Sequence, residues 1–243
     1  METQNQKRIL PTFGGSFEHG WKTMFDYFLV LLLVVIVLGI VTFPAQLMKI
    51  NIDADNYHWW RDEMDFIGPG LFAAMGVLAI VVGIFALIYA ILVVPVFKYG
   101  ANIMFVHAAR GIRPEFETLI KGFKENYLHI ILASLLTIAL TIMGTILLII
   151  PGIIVACRLA FVSYLVMDRK LDPIVAVEES WRLTRGYGWT IFAMGLTSFF
   201  IYILGFVMLF IGIIPATMWV KSSFASLYQA VLTEKNGAAA VTE

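Results

Sequence analysis

Four long stretches of the chain contain no Asp, Glu, Lys or Arg, and they restrict the possible folds more than any other feature. The stretches cover residues 27–48, 67–97, 127–157 and 186–220. A transmembrane helix needs roughly 20 consecutive, mostly apolar residues, so each stretch is long enough to cross a bilayer. Hydrophobic residues make up 60% of the chain and charged residues 14%, whereas soluble domains have about 45–50% and about 25%. These patterns predict an all-α polytopic membrane protein.

Two of the stretches continue beyond a single charge and are longer than one span requires. Apolar sequence resumes after Arg158 in the third stretch and after Lys221 in the fourth. Without a break, each region would form one helix of more than about 40 residues, which is longer than a bilayer accommodates. Because Pro and Gly break helices, we expect a turn inside each region and six spans in total. The breaking residues are Pro151-Gly152 in the first region and Gly212 and Pro215 in the second.

Lys and Arg residues collect on one side of this six-span arrangement. Only Lys49 and Arg61 fall on the other side, within residues 49–66. Cytoplasmic loops carry an excess of Lys and Arg, so both termini are expected in the cytoplasm and residues 49–66 form the one sizeable external loop. The cations on the cytoplasmic side are Lys7, Arg8, Lys22, Lys98, Arg110, Arg113, Lys121, Lys124, Arg169, Lys170, Arg182, Arg185 and Lys235.

The predicted external loop at residues 49–66 combines carboxylates with aromatic side chains. A calcium-binding EF-hand loop that began at Asp53 would need Gly at its sixth position and Glu at its twelfth, where this chain has His58 and Met64. We therefore interpret the loop as an interfacial belt with aromatic residues at headgroup depth and carboxylates in water, and leave a binding role open. Its residues of these types are Asp53, Asp55, Asp62, Glu63 and Asp65 with Tyr57, Trp59 and Trp60.

Three segments that precede spans have the pattern of amphipathic helices in the membrane interface. Pro114 and Pro173 are placed for the first turns of two of them, and Asp172 is a good N-cap ahead of Pro173. Ser16 is expected to cap the corresponding helix near the N-terminus. In the clearest of the three, apolar residues recur at helical spacing and charged residues fall on the opposite face. These apolar residues are Phe116, Leu119, Ile120, Phe123 and Tyr127.

A tripeptide of a small residue, an aromatic residue and a cation recurs in the three segments. A span, a proline and a second span follow each copy, which suggests three internal repeats. Each unit has two spans, so the three share one orientation, unlike inverted-repeat transporters. We expect a single membrane domain over 1–243, with units at roughly 16–110, 111–170 and 171–235 and a short flexible tail at 236–243. The tripeptides are Gly20-Trp21-Lys22, Gly122-Phe123-Lys124 and Ser180-Trp181-Arg182, in which Trp21, Phe123 and Trp181 are the expected interfacial anchors.

Part of the chain has a recognisable sequence pattern, which covers about a third of its length. The pattern consists of Pro151-Gly152, Arg158, Asp168, Pro173, Ala176, Ser180-Trp181 and Gly186. It resembles the membrane domain of membrane-anchored glycerophosphoryl diester phosphodiesterases and of related uncharacterised six-helix bacterial inner-membrane proteins. The resemblance implies a six-helix fold and a bacterial inner (plasma) membrane location, and it implies no defined activity.

The catalytic half of those phosphodiesterases is not expected in this chain. Their soluble domain needs a His-Arg pair with carboxylates and a second His around a divalent ion, but none of the four histidines is followed by Arg. The histidines are scattered and lack catalytic partners. We therefore assign no catalytic or metal-ligating residue and expect no cofactor. These histidines are His19, His58, His107 and His129.

Arg158 and Lys221 are the strongest candidates for a functional site. Each follows a helix-breaking proline by about two turns, which would place it roughly 10 Å below an external turn and within the hydrocarbon. Buried cations are costly and by default mark function or a specific partner. We expect Arg158 to face the bundle interior and to pair with Glu178 or Glu179, or else with a lipid phosphate or another anionic ligand. The candidates for binding a ligand or lipid headgroup are therefore Arg158, Lys221, Glu178 and Glu179.

Three functions are compatible with the sequence. The favoured one is a non-enzymatic membrane helper that organises lipid or partner proteins, because interfacial helices are present and a catalytic set is not. The second is a transporter of a small anion or lipid headgroup that uses Arg158 and Lys221. The third is a lipid-modifying enzyme with Asp168, Glu178 and Glu179 around a metal. Membrane lipids are the expected partners, protein partners in the membrane are also considered, and nucleic acid is not expected because the net charge is zero.

Overall fold

The computed structural model describes residues 10–47, 69–208 and 212–241, and 86% of the structure is helical. No strand occurs in these ranges. Four helices are long and apolar enough to cross a membrane, or five if a bent pair at the N-terminus forms one span. An all-α protein with several apolar helices of membrane-spanning length is therefore confirmed. The six spans and their repeat remain predictions, and the acidic loop at 49–66 lies outside the described residues.

Eleven helices can be labelled in the described ranges, in chain order. They are α1 (Phe13–Asp26), α2 (Phe28–Leu47), α3 (Pro69–Leu92), α4 (Val94–Ala109), α5 (Glu117–Glu125), α6 (Tyr127–Leu147), α7 (Ile149–Arg158), α8 (Val162–Asp168), α9 (Pro173–Leu183), α10 (Gly188–Val207) and α11 (Ile213–Val241).

The apolar helices α3, α6 and α10 leave large hydrophobic side chains uncovered. Phe85, Ile146 and Phe199 are 70%, 78% and 58% exposed. Such exposure over whole helices is untenable in water but normal against lipid, where apolar side chains face an apolar solvent. Helices α3 and α4 follow each other almost without a break, and together they form a long apolar segment, Gly76–Ala109. In the most hydrophobic 18-residue stretch of this segment, only 6% of the residues are buried inside the protein. The lipid-facing surface therefore belongs to these helices.

A packed core, here called the hub, is formed by α4, α8 and residues 216–232 of α11. Phe105, Leu165 and Tyr228, one from each helix, are completely buried. The rings of Tyr164 and Tyr228 stack with their centroids 5.0 Å apart, and this contact joins α8 to α11. The second half of Gly76–Ala109 is thus enclosed by protein, whereas the first half is exposed.

The amphipathic helices α1, α5 and α9 each pack against a different part of the hub. Helix α1, which is bent by 96° from α2, crosses α11 so closely that a Cβ on Gly20 would lie 2.6 Å from the Ser223 Cα. Helix α5 crosses α4 at Gly100, where a Cβ would lie 2.9 Å from the Leu119 Cα. Helix α9 packs on α8, and the Ser180 hydroxyl donates to the carbonyl of Arg158 at 2.7 Å. Small side chains permit all three close approaches.

Several predicted helix boundaries differ from the structure. Ser16 does not cap α1, because Thr12 is the N-cap and its Oγ1 accepts a hydrogen bond from the Gly15 N–H at 3.2 Å, which leaves Ser16 inside the helix and buried. Helix α5 begins at Glu117, not near Pro114. At α9, Asp172 occupies the N-cap position and Pro173 opens the helix as predicted, although the Asp172 side chain makes no capping hydrogen bond to α9.

The two other boundaries concern the turn before α7 and the C-terminal segment. The turn before α7 is at the extended Leu148, so Pro151 falls within the first turn of α7, where a missing N–H is tolerated. Helix α11 continues through residues 236–241 of the expected tail, a segment with three consecutive alanines, which favour helix.

Candidate functional site

Arg158 is the last residue of α7, a helix whose two sides have different roles. One side packs tightly on α6, because a Cβ on Gly152 would lie 2.8 Å from the Cα of Thr145 and one on Gly144 would lie 3.2 Å from the Cα of Gly152. The other side carries Ile150, Ile153, Ile154 and Cys157, which have the i, i+3, i+4, i+7 spacing of one helical face. That face is turned towards the start of α10 and away from α6.

A cavity of about 540 Å³ lies between this face of α7 and the beginning of α10. Its walls are mostly apolar, and Trp189 and Phe192 line it from the α10 side. Ile150 is 72% exposed and Trp189 is 83% exposed, so the cavity opens to the surroundings of the protein. Arg158 is the only charged residue among the described residues that line it. We name this feature the α7–α10 groove.

The guanidinium of Arg158 has no ionic partner among the described residues. Within the described part of the chain, its Nη1 is buried without a hydrogen-bond partner, and its Cζ lies 5.8 Å from the centroid of the Trp181 ring. Only the backbone carbonyl of Arg158 is well satisfied, since it accepts hydrogen bonds from the hydroxyls of Ser180 at 2.7 Å and Thr184 at 3.4 Å. A cation–π contact supplies attraction but no acceptor for the N–H groups.

The predicted ion pair between Arg158 and Glu178 or Glu179 is wrong. Glu179 instead accepts from Arg182 at 2.7 Å and lies 3.4 Å from Arg169, and the Arg182 guanidinium holds the pKa of Glu179 below its ordinary value. Glu178 is exposed. The physical reason is helical phase: Ser180 and its i+4 neighbour form the side of α9 that faces Arg158, so the adjacent carboxylates point elsewhere.

Lys221 lies in the hub, apart from the groove. Its Nζ donates to Asn102 Oδ1 at 2.9 Å, and the amide nitrogen of Asn102 donates to the Ser163 hydroxyl at 3.0 Å. The ammonium also lies 6.0 Å from the centroid of the Phe105 ring. One polar side chain from each hub helix therefore joins a single layer. The structure does not bring Lys221 and Arg158 together, although the sequence treats them alike.

A second polar layer in the hub was missed by the sequence analysis. Arg110, just after α4, makes a bidentate contact with Asp168 at the end of α8, with distances of 2.7 Å and 2.6 Å. From α11, the Tyr228 hydroxyl donates to Asp168 at 2.9 Å, and Gln229 accepts from Arg110 Nε at 2.7 Å. The sequence did contain one signal for this pair. Arg110 and Asp168 each lie at the end of an apolar helix, and the predicted repeats would place these two helix ends close together. Asp168 is thus fully engaged by protein donors.

The three predicted interfacial anchors are all partly exposed and all contact aromatic or cationic side chains of other helices. Trp21, Phe123 and Trp181 are 45%, 38% and 40% exposed. The Trp21 ring meets Trp219 of α11 edge to face at 4.8 Å, and the Phe123 ring meets Phe97 of α4 in the same way at 5.4 Å. The Trp181 ring lies against the Arg158 guanidinium, whose Cζ is 5.8 Å from the ring centroid. Each anchor therefore joins an amphipathic helix to its neighbour while keeping part of its ring exposed.

The carboxylates that a metal-dependent enzyme would need are not assembled. Asp168, Glu178 and Glu179 have the separate surroundings given above, and within the ranges 10–47, 69–208 and 212–241 no three His, Cys, Asp or Glu residues are arranged to hold a metal ion. Comparison with known proteins adds no further guide, because no family model, curated protein or solved structure matches the chain.

Proposed function

We propose that this chain is a non-enzymatic integral protein of the bacterial inner membrane that organises lipid at the membrane interface. In this proposal six spans form three two-helix units, both termini are cytoplasmic, and α1, α5 and α9 lie in the inner interface. The proposal includes the resemblance to the membrane domain of the glycerophosphoryl diester phosphodiesterases, without their activity.

One observation carries the proposal: each amphipathic helix is held from one side and presents large apolar side chains on another. Phe25 of α1, Ile120 of α5 and Ile174 of α9 are 56%, 46% and 66% exposed. Their helices are meanwhile fixed to the rest of the protein through Gly20, Gly100 and the Ser180 hydroxyl. Rigidly held apolar side chains at the interface would contact the upper parts of lipid chains and slow their exchange.

The packing pattern supports the three-unit arrangement. Each amphipathic helix packs on the second helical region of the preceding unit, with α1 on α11 closing the cycle. The anchor contacts fall near corresponding cations: Phe97 precedes Lys98, Trp219 lies two residues before Lys221, and the Trp181 contact is Arg158 itself. Both polar layers also take side chains from all three hub regions.

The other two functions receive less support. Transport that uses Arg158 and Lys221 together would need a shared pathway, whereas Lys221 is bonded within a hub layer and Arg158 lies in the α7–α10 groove. A lipid-modifying site built on Asp168 would need its carboxylate, which Arg110 and Tyr228 occupy. A role in organising partner proteins would use the same exposed side chains. The experiment below distinguishes that role from lipid organisation.

The test measures how many phospholipids the protein holds in slow exchange. The triple variant Phe25→Ser, Ile120→Ser, Ile174→Ser is reconstituted into phosphatidylcholine vesicles that contain a lipid spin-labelled near its headgroup. We expect a smaller motionally restricted fraction than for the wild type, because the exposed apolar contacts are lost while the buried sides of the helices are untouched. The headgroup composition of the vesicles should stay constant during incubation.

The matched control changes exposed polar positions on the same three helices, Lys22→Ser, Lys124→Ser and Glu178→Ser, and should leave the restricted fraction unchanged. Equal fractions of motionally restricted lipid in the wild type and in the apolar triple variant would contradict lipid organisation. The exposed apolar side chains would then be interpreted as a surface for a protein partner. Conversion of the vesicle lipids to new headgroups by the purified protein would contradict the non-enzymatic assignment.

A further inference from the structure

We infer that the α7–α10 groove is a binding site for one anionic phospholipid, with the phosphate at the Arg158 guanidinium and an acyl chain along the apolar face of α7. This inference rests on the proposed function, since it names the lipid class that one site selects. Of the partners that the sequence left open for Arg158, it takes the lipid phosphate in place of Glu178 or Glu179.

The apolar part of the groove has the dimensions of a lipid chain. Ile150, Ile153, Ile154 and Phe192 form its walls, and its volume of about 540 Å³ lies within the range of ordinary ligand pockets, roughly 300–1,000 Å³. From Ile150 to Arg158, α7 rises about 12 Å at 1.5 Å per residue.

The polar end of the groove lacks a counter-charge. The guanidinium of Arg158 has a buried Nη1 without an acceptor, and no described carboxylate lies within 4 Å of it. An unpaired buried donor of a charged group is costly, so an acceptor is expected when the protein is in its membrane. A phosphate diester supplies oxygens that match the planar fork of Arg. Some headgroups also have a positively charged amine next to the phosphate. The described residues that line the groove include no acidic side chain to bind such an amine, so a lipid with a net negative charge fits best.

The residues around the guanidinium leave room for a headgroup. Gly186 has φ +97°, a conformation that disfavours any residue with a Cβ, and Gly188 has open space where a Cβ would lie. Trp181 and Trp189 flank this end and are 40% and 83% exposed. Tryptophan is enriched at the depth of lipid headgroups, so these two rings favour a headgroup at this end of the groove.

Two variants test the two halves of the site separately. Arg158→Met removes the charge and keeps an unbranched apolar side chain, whereas Gly188→Leu fills the groove and keeps the cation. Gly195→Leu is the matched control, because Gly195 is also in α10, is exposed and has open space at its Cβ but does not line the groove. The purified, delipidated full chain is titrated with dioctanoyl phosphatidylglycerol, dioctanoyl phosphatidylcholine or inorganic phosphate, and bound ligand is counted by native mass spectrometry.

We expect the wild type and Gly195→Leu to bind one phosphatidylglycerol about tenfold more tightly than phosphatidylcholine, because the choline ammonium finds no acidic side chain in the groove and is repelled by Arg158. Arg158→Met and Gly188→Leu should each weaken phosphatidylglycerol binding by about tenfold or more. Inorganic phosphate should neither bind measurably nor displace the lipid. Thermal unfolding midpoints in detergent verify that each variant is folded, and two independent variants keep the test decisive if one of them is not.

Equal phosphatidylglycerol affinity in the wild type and in both folded groove variants would overturn the site. Equal affinity of the wild type for the two lipids would overturn the selection of anionic lipid, and displacement by inorganic phosphate would identify a site for soluble anions instead. These outcomes are separable from the proposed function, because the spin-label measurement uses phosphatidylcholine and variants outside the groove. A failed groove with a normal restricted-lipid fraction leaves lipid organisation standing.

Discussion

Asp168 is the residue through which the three hub helices are most directly connected. Its two carboxylate oxygens accept hydrogen bonds from both terminal nitrogens of Arg110 and from the hydroxyl of Tyr228. The side chain is 10% exposed, so the pair is shielded from water. A paired carboxylate in such surroundings is tolerated because donors replace its hydration, and the loss of its charge leaves Arg110 without compensation.

Asp168→Asn should therefore lower the free energy of unfolding by about 3 kcal/mol, the lower end of the range for breaking a buried pair. The measurement is thermal or denaturant unfolding of the purified protein in detergent. The matched control is Asp172→Asn, whose carboxylate is 73% exposed and lies 2.9 Å from His129; it should change stability by less than about 1 kcal/mol. An Asp168→Asn protein as stable as the control would refute the role given to this layer.

At the scale of helices, the close crossing of α1 and α11 is the most constrained contact. A Cβ on Gly20 would meet the backbone of Ser223, with its Cα and N both at 2.6 Å, so the two helices would have to separate. Such overpacking costs roughly 1–3 kcal/mol. Gly20→Ala should lower the unfolding midpoint in detergent even though Ala is the better helix former.

The comparison that decides this prediction is Gly14→Ala in the same helix, where a Cβ would meet nothing within 4 Å. That variant should be neutral or slightly more stable, since it gains helix propensity without a clash. If Gly20→Ala proves as stable as Gly14→Ala, then α1 does not cross α11 at this point.

The helices themselves were largely predictable, but the partner of each face was not. The periodic residues of α5 do separate from its charged residues, yet only Leu119 and Gly122 of that helix are buried, and Phe116 and Ile120 remain exposed. Hydropathy cannot distinguish burial against protein from burial in lipid, because both environments are apolar. The same limit hid the change from the lipid-facing α3 to the enclosed α4.

At the scale of the whole molecule, the sequence predicted the class of protein and singled out one residue of the candidate site. Arg158 was identified because a cation in an apolar region is rare, but its expected partner was wrong because side-chain direction on α9 depends on helical phase. The Arg110–Asp168 pair was missed because its members are 58 residues apart and each resembles an ordinary charge at a helix end, so only the predicted repeat linked them. Long-range pairing depends on the fold, not on local pattern.

The central proposal is a six-span membrane protein with both termini in the cytoplasm and its amphipathic helices at the inner interface. Single cysteines at Asn56, Gly111 and Gly237, introduced one at a time after replacement of Cys157, test it directly with an impermeant thiol reagent applied to intact spheroplasts. Gly111 and Gly237 are exposed in the structure, and Asn56 lies in the predicted external loop, outside the described residues. The account predicts labelling at Asn56 alone, with Gly111 and Gly237 labelled only after the membrane is permeabilised. Labelling of Gly111 or Gly237 from outside, or protection of Asn56, would contradict it.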